Sequence, residues 1–250
     1  MKIDRLAAVA CVAALAAVPA LAEDLTIVYK TSGPNGPGTA TSYFSTEKMR
    51  MSDADRDTVV EYGPGRIVSI DHKKKEYSDV TLAELEAGMK AASERMQAMN
   101  AQMANMPPAV RERMAGAMGG GTVAVTKGGT KKVAGYDCQD YDVTMGTMIT
   151  MHLCATTAIA PPAPNVDVRR FTSMAGFAAN PMFKNMVEEM KKVQGFTLAE
   201  SSSMTIMGRS TETSKEATEV KKGAIPAATF DVESIAKGYK KVANPATRMK

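Results

Sequence analysis

The side chains of this sequence best suited to chemistry are two histidines, two strand-borne aspartates, two late cysteines and an unusual number of thioethers. Asp140 and Asp142 are two residues apart, so on a β-strand they share a face. His152 on the facing strand of a hairpin would complete a three-ligand set for a metal ion. A solvated sheet face carries the same pattern. His72 falls in a predicted hairpin turn with no third partner in sequence and reads as an exposed polar residue. Neither His-x-x-x-His nor His-Glu-x-x-His spacing occurs. Gly119-Gly120-Gly121 is followed by a strand pattern and by no Gly-Lys-Ser/Thr, which excludes a phosphate loop. Tyr136 and Tyr141 read as packing residues. Without a nucleophile–base pair or a paired-carboxylate site, the sequence reads as non-enzymatic and implies no cofactor.

Sulfur is the second chemical theme. The chain has 20 methionines and no tryptophan. Leu82, Leu85, Met89, Ala92, Met96, Met99, Met103 and Met106 recur at spacings of three and four, which puts them on one face of a helix over 81–106. Thr81 and Glu84 have the spacing of a capping box, and Pro107-Pro108 ends the helix. Three readings of the stripe stand side by side. It packs on a sheet; it lines a site for an apolar ligand or acyl chain through Leu85, Met89, Met96, Met99, Met103 and Met106; or its thioethers, with His152, handle Cu(I).

The first 22 residues read as a cleaved signal peptide: Lys2 and Arg5, an apolar run over 6–18, then Ala20-Leu21-Ala22. A lipoprotein signal ending at Cys11 is the alternative, although Ala8 stands where such a signal needs a large aliphatic residue. The sequence therefore predicts a periplasmic protein with one domain over 23–250. The whole chain has 31 Lys and Arg against 27 Asp and Glu; without Lys2, Arg5 and Asp4 that becomes 29 against 26, or +3. So small and dispersed a charge excludes a nucleic-acid partner, and no later apolar run is long enough to span a bilayer. Cys138 and Cys154 are then the only cysteines left, and in an exported chain they predict one disulfide.

The remaining sequence supplies strands. Short alternating runs over 25–29, 39–44, 49–51, 58–62, 66–70 and 75–80 predict a meander linked by turns, with a turn or flexible loop over 32–38. A short helix is expected over 109–118, strands over 122–126 and 131–136 about a turn at Lys127-Gly128-Gly129, and a hairpin over 136–155 turning near Gly146. In that hairpin Tyr141, Val143, Met145, Ile149, Met151 and Leu153 form an apolar face. Asp140, Asp142, Thr144, Thr150 and His152 form a polar one. An odd-numbered loop would put both cysteines on the polar face. A second helix over 173–193 capped by Gly195, strands over 196–207, 210–222 and 229–232, and a frayed end over 236–250 complete the order. The predicted class is α+β: a curved antiparallel sheet of about ten strands, an unclosed half-barrel, with the long Met-rich helix and the second helix packed on its concave face.

Lys48-Met49-Arg50-Met51, Thr58-Val59-Val60, Ile67-Val68-Ser69-Ile70-Asp71 and Lys75-Glu76-Tyr77 carry a resemblance. So do Gly135-Tyr136-Asp137-Cys138 with Tyr141 and Cys154, Gly195-Phe196-Thr197-Leu198, and the late Glu219-Val220 and Ile225-Pro226. Together they resemble a bacterial exported family known only as a domain of unknown function, similar in shape to the periplasmic lipoprotein-carrier proteins. The resemblance implies an unclosed β-barrel whose greasy side is covered by helices, and a non-enzymatic role in binding or carrying a lipid or lipoprotein acyl chain. A copper-handling protein, or a structural envelope domain with a filled core, is the alternative.

Overall fold

A computed structural model describes residues 23–104, 123–160, 181–206 and 209–244. The meander is β1 (Leu25–Gly33), β2 (Gly36–Phe44), β3 (Lys48–Ser52), β4 (Arg56–Glu61), β5 (Arg66–Asp71) and β6 (Glu76–Thr81), which leads directly into helix α1 (Leu82–Ala104). Then come β7 (Val123–Val133), β8 (Tyr136–Met145), β9 (Ile149–Thr156), helix α2 (Pro181–Met190), β10 (Phe196–Ile206) and β11 (Arg209–Lys222). A 3-10 turn (Ala227–Phe230), the one-turn helix α3 (Val232–Ile235) and the short β12 (Lys240–Lys241) follow.

The strands form one open sheet, twelve strands among the described residues, in the order β12-β6-β5-β4-β3-β2-β1-β11-β10-β9-β8-β7. Neighbours are antiparallel except β12 and β6. The sheet curls, as a sheet this wide must. Phe44 of β2 and Phe196 of β10 lie three places apart in the strand order, about 14 Å if the sheet were flat, yet their ring centroids are 5.4 Å apart and edge to face. Irregularities in the β1–β11 and β9–β10 registers, at Val28/Tyr29 and Thr197/Ala199, accompany that bend.

Among the described residues three buried clusters result. Leu25, Ile27 and Tyr29 of β1 pack with Cys138, Cys154 and Leu198, side chains from strands far apart in the order. The predicted odd-numbered face, Tyr141, Val143 and Leu153, joins Val123 and Val125 beneath Met186 of α2 and Val193. Val59, Val68 and Ile70 pack against Val232 and Ala236 at α3.

The sheet's edges are shielded. At β7, Asn185 Oδ1 accepts from Val123 N–H and Glu189 Oε2 accepts from Val125 N–H, both at 2.9 Å, so α2 supplies hydrogen bonds that a further strand would otherwise make. At the other edge, Lys240 and Lys241 pair with Glu76 and Tyr77.

Helix α1 begins where the capping box places it: Glu84 accepts from Thr81 N–H at 2.8 Å, Thr81 Oγ1 accepts from Glu84 N–H at 3.2 Å, and Leu82 N–H donates to Gly65 O at 2.7 Å. Several other expectations need correction. Of the two readings of 32–38 the turn holds and the flexible loop does not: Gly33 pairs with Gly36, leaving Pro34-Asn35 as a two-residue turn. Lys127-Gly128-Gly129 is no turn; it lies within β7 at an irregularity between Lys127 and Thr130, and the reversal comes at Ala134-Gly135, both at positive φ. Residues 229–232 form no strand: Thr229 and Phe230 end the 3-10 turn, and Asp231 accepts from Glu233 and Ser234 N–H and so starts α3 at Val232. Residues 236–244 are held to the sheet rather than frayed: Lys240 N–H donates to Lys75 O and Val242 N–H to Tyr77 O. The expected helix over 109–118, residues 173–180, Phe177 and the signal peptide 1–22 lie outside the described residues.

Cys138 and Cys154 form the expected disulfide, with Cα atoms 5.5 Å apart. Met145 pairs with Ile149, so the hairpin loop has three residues and both cysteines keep one parity. They are not on a solvated face, however, since both are buried against β1. Replacing both by alanine should lower unfolding free energy by about 3 kcal/mol in the loop-entropy account, read as a lower urea midpoint for the double variant; an unchanged midpoint would refute a stabilising crosslink.

Candidate ligand-binding cleft

Following the register from β1 to β4, Tyr29 opposes Ala40, Ser42 opposes Met51, Phe44 opposes Met49 and Met51 opposes Thr58. These side chains share one face. The curl brings Gly195, Phe196 and Thr197 toward it, and the space between is a mostly apolar cleft of about 640 Å³. That volume lies within the range of about 300–1,000 Å³ common to small-molecule sites. Met51 is 43% exposed, a large apolar side chain left to water at the cleft.

Two charged side chains of the lining, Lys215 and Asp53, have partners of their own. Lys215 pairs with Glu200 at 2.9 Å, and Asp53 Oδ1 accepts from Asp55 and Arg56 N–H at 2.8 and 2.9 Å. Burial, with the Glu200 charge adding to it, pushes the Tyr29 hydroxyl up to about 12, so it stays neutral near pH 7. A lining this apolar suits an apolar body.

Alternate residues of the same strands point to the reverse face, where Asp57 is 1% exposed. Arg50 Nε donates to Asp57 Oδ1 at 2.8 Å and Arg50 Nη2 to Oδ2 at 3.1 Å. His72 Nε2 lies 2.7 Å from Asp57 Oδ2, His72 Nδ1 lies 3.0 Å from the Tyr239 hydroxyl, and Arg50 Nη1 donates to Thr229 O at 2.8 Å. Burial disfavours the Asp57 carboxylate, but hydrogen bonds from Arg50, His72 and Ser52 outweigh it and hold Asp57 below the usual carboxylate range. His72 is therefore not the solvated turn residue expected from sequence. Tyr239, 167 positions later, reaches back to it, and no local spacing signals that contact.

Of the other predicted site residues, Asp142 and His152 do meet, with Oδ1 and Nδ1 at 2.5 Å, both well exposed. Asp140 instead pairs with Lys131 at 3.2 Å. Among the described residues no group of three His, Cys, Asp or Glu side chains is placed to hold a metal ion. Leu85 is half-buried on α1. The side chains of Met89, Met96, Met99 and Met103, and all of Met106, lie outside the described residues, so the packing of the methionine stripe does too. Sequence reasoning does not single out the cleft residues Tyr29, Phe44, Met49, Met51 and Phe196 as a site. Their strand alternation is visible in sequence, whereas their convergence depends on the curl.

Residues 109–234, half of the chain, match the family model described as a domain of unknown function, DUF4412. The chain belongs to this family. The DUF4412 match takes in Gly135-Tyr136-Asp137-Cys138, Cys154, Gly195-Phe196-Thr197-Leu198, Glu219-Val220 and Ile225-Pro226, and begins after the first six strands. No curated protein sequence matches the chain. Among solved structures, an uncharacterized conserved protein from Thermus thermophilus is similar at TM-score 0.46 and 8% identity, covering 90% of this chain and 92% of that one. MucB in the Pseudomonas aeruginosa MucA/MucB complex is similar at TM-score 0.37 and 11% identity, covering 84% of this chain; this chain spans about half of it, 55%. A putative outer membrane lipoprotein-sorting protein domain from Vibrio parahaemolyticus is similar at TM-score 0.24 and 7% identity, covering 86% of this chain and 92% of that one. Among the described residues no helix is long and apolar enough to cross a membrane.

Proposed function

We propose that this DUF4412 protein is a non-enzymatic, exported binding protein that holds an apolar ligand, a lipid or an acyl chain, in the cleft between the β1–β4 face and Phe196. The cleft carries the reading: Tyr29, Phe44, Met49, Met51 and Phe196 line about 640 Å³ of open space, and flexible thioethers with neutral aromatic rings conform to an irregular apolar body. The Cys138–Cys154 disulfide supports an oxidising compartment such as the periplasm. On this reading the methionine face of α1, from Leu85 and Met89 through Met96, Met99 and Met103, supplies further apolar lining, together with Met106 two residues beyond the helix in sequence.

The test is titration of the purified protein with a fluorescent fatty-acid probe, alongside native mass spectrometry of protein recovered from its own cells. Saturable binding displaced by unlabelled fatty acid is expected. Met51→Lys puts a charge into the apolar lining and should weaken it about tenfold, equivalent to about 1.4 kcal/mol. Absence of both probe binding and any co-purified lipid would sink the proposal.

A further inference from the structure

We propose that the polar network Arg50–Asp57–His72–Tyr239 positions the floor of the cleft from behind, so that the C-terminal segment 227–241 sets the affinity of a site it does not line. This rests on the binding reading above.

The alternation of β-strands carries the argument. Met49, Met51 and Thr58 face the cleft, while Arg50, Asp57 and Val59, their covalent neighbours, face away. A twist or tilt of β3 or β4 therefore moves both sets together. The C-terminal segment crosses the reverse side and is tied at both ends. Before it, Gly223 N–H donates to Asp24 O and Ile225 N–H to the Asp24 carboxylate, both at 3.0 Å. At its far end β12 pairs with β6, and Lys241 meets Asp79 at 3.1 Å. Between these anchors Val232 and Ala236 pack on Val59, Val68 and Ile70.

Apolar packing alone tolerates small slides of one layer over another. The network does not, because it is directional. Both Asp57 oxygens are taken, one by Arg50 and the other by Arg50 and His72. The second nitrogen of His72 is held by Tyr239, and the remaining arm of Arg50 by Thr229 O. Bonds that converge on a buried carboxylate define one arrangement of the strands that carry them. The segment is thus a brace clamped across the back of β3–β5, and the spacing of Met49, Met51 and Thr58 on the other side follows from it.

The test uses the mature protein with Tyr239→Phe, which keeps the ring against His72 and removes only the hydroxyl, and with Arg50→Lys, which keeps the charge and loses the two-pronged grip. Hydrogen exchange is followed at the amides of β3 and β4, and probe affinity is titrated for the wild type and both variants. Expected are faster exchange in β3 and β4 with cooperative melting retained, and probe affinity lowered about three- to tenfold. Unchanged exchange overturns the proposal, as does faster exchange with affinity within about twofold of wild type. A wild type that binds no probe overturns the binding reading first and this inference with it, and the wild-type titration tells that outcome apart from failure of the brace.

Discussion

Gly195→Ala is expected to disrupt this fold more than a single methyl normally can. Gly195 has φ +97°, a conformation that costs any other residue about 1–2 kcal/mol. More severe is the space: an added Cβ would lie 2.3 Å from Thr156 O, 2.5 Å from Thr156 C and 2.9 Å from Thr157 N. All three are backbone atoms, so no rotamer change relieves the overlap. Either β10 must move away from β9 or the residue must leave its conformation. Both shift Phe196, the next residue and one wall of the cleft. We expect a loss of about 4 kcal/mol or more, with a melting temperature lower by about 10 °C or more. Gly135→Ala is the control. Its φ is also positive, +85°, but the added carbon meets nothing within 4 Å. It should cost no more than the conformational strain, about 1–2 kcal/mol. Equal losses in the two variants would show that close approach to Thr156 is unimportant.

Asp57→Ala should produce the second large effect. It leaves Arg50 facing a buried site without its counter-charge and takes from His72 the partner of Nε2. Breaking such a pair from one side costs about 3–5 kcal/mol, measured by urea unfolding near pH 7. The effect has a definite pH dependence. Asp57 is held below its ordinary value in the folded protein, so its stabilising contribution is complete above the unfolded carboxylate value of about 4. That contribution is lost as pH falls through the lower folded value. The stability difference between wild type and Asp57→Ala should shrink as pH falls below about 4. Glu61, held low by Lys48 and Arg66, and Asp79, held low by Arg66 and Lys241, contribute to acid unfolding in the same direction. They are present in both proteins, so they cancel in the difference. A gap that widens below about pH 4 would contradict the assigned role of the carboxylate.

The features read correctly from the chain are those set by neighbours in sequence. Alternation over 141–153 identifies the face that packs under Met186, because side chains of a strand must point alternately up and down. Thr81 and Glu84 mark the start of α1 through bonds that span three residues. Cys138 and Cys154 find each other across a three-residue loop because pairing parity is arithmetic once a hairpin is assumed. Where a local signal is ambiguous, the reading slips. Lys127-Gly128-Gly129 looks like a turn, yet it is absorbed as an irregularity inside β7, with the reversal postponed to Ala134-Gly135.

The amino-acid order by itself determined the antiparallel strands, the helix start, the crosslink and the membership in DUF4412, because each depends on residues a few positions apart or on a motif kept in line. Tertiary structure alone decided that the cysteines are buried, that Phe44 meets Phe196 across three strand places, and that Tyr239 reaches His72. Those outcomes follow from the summed twist and irregularities of a wide sheet, a small rotation at every strand that accumulates into a trough no local window of sequence contains.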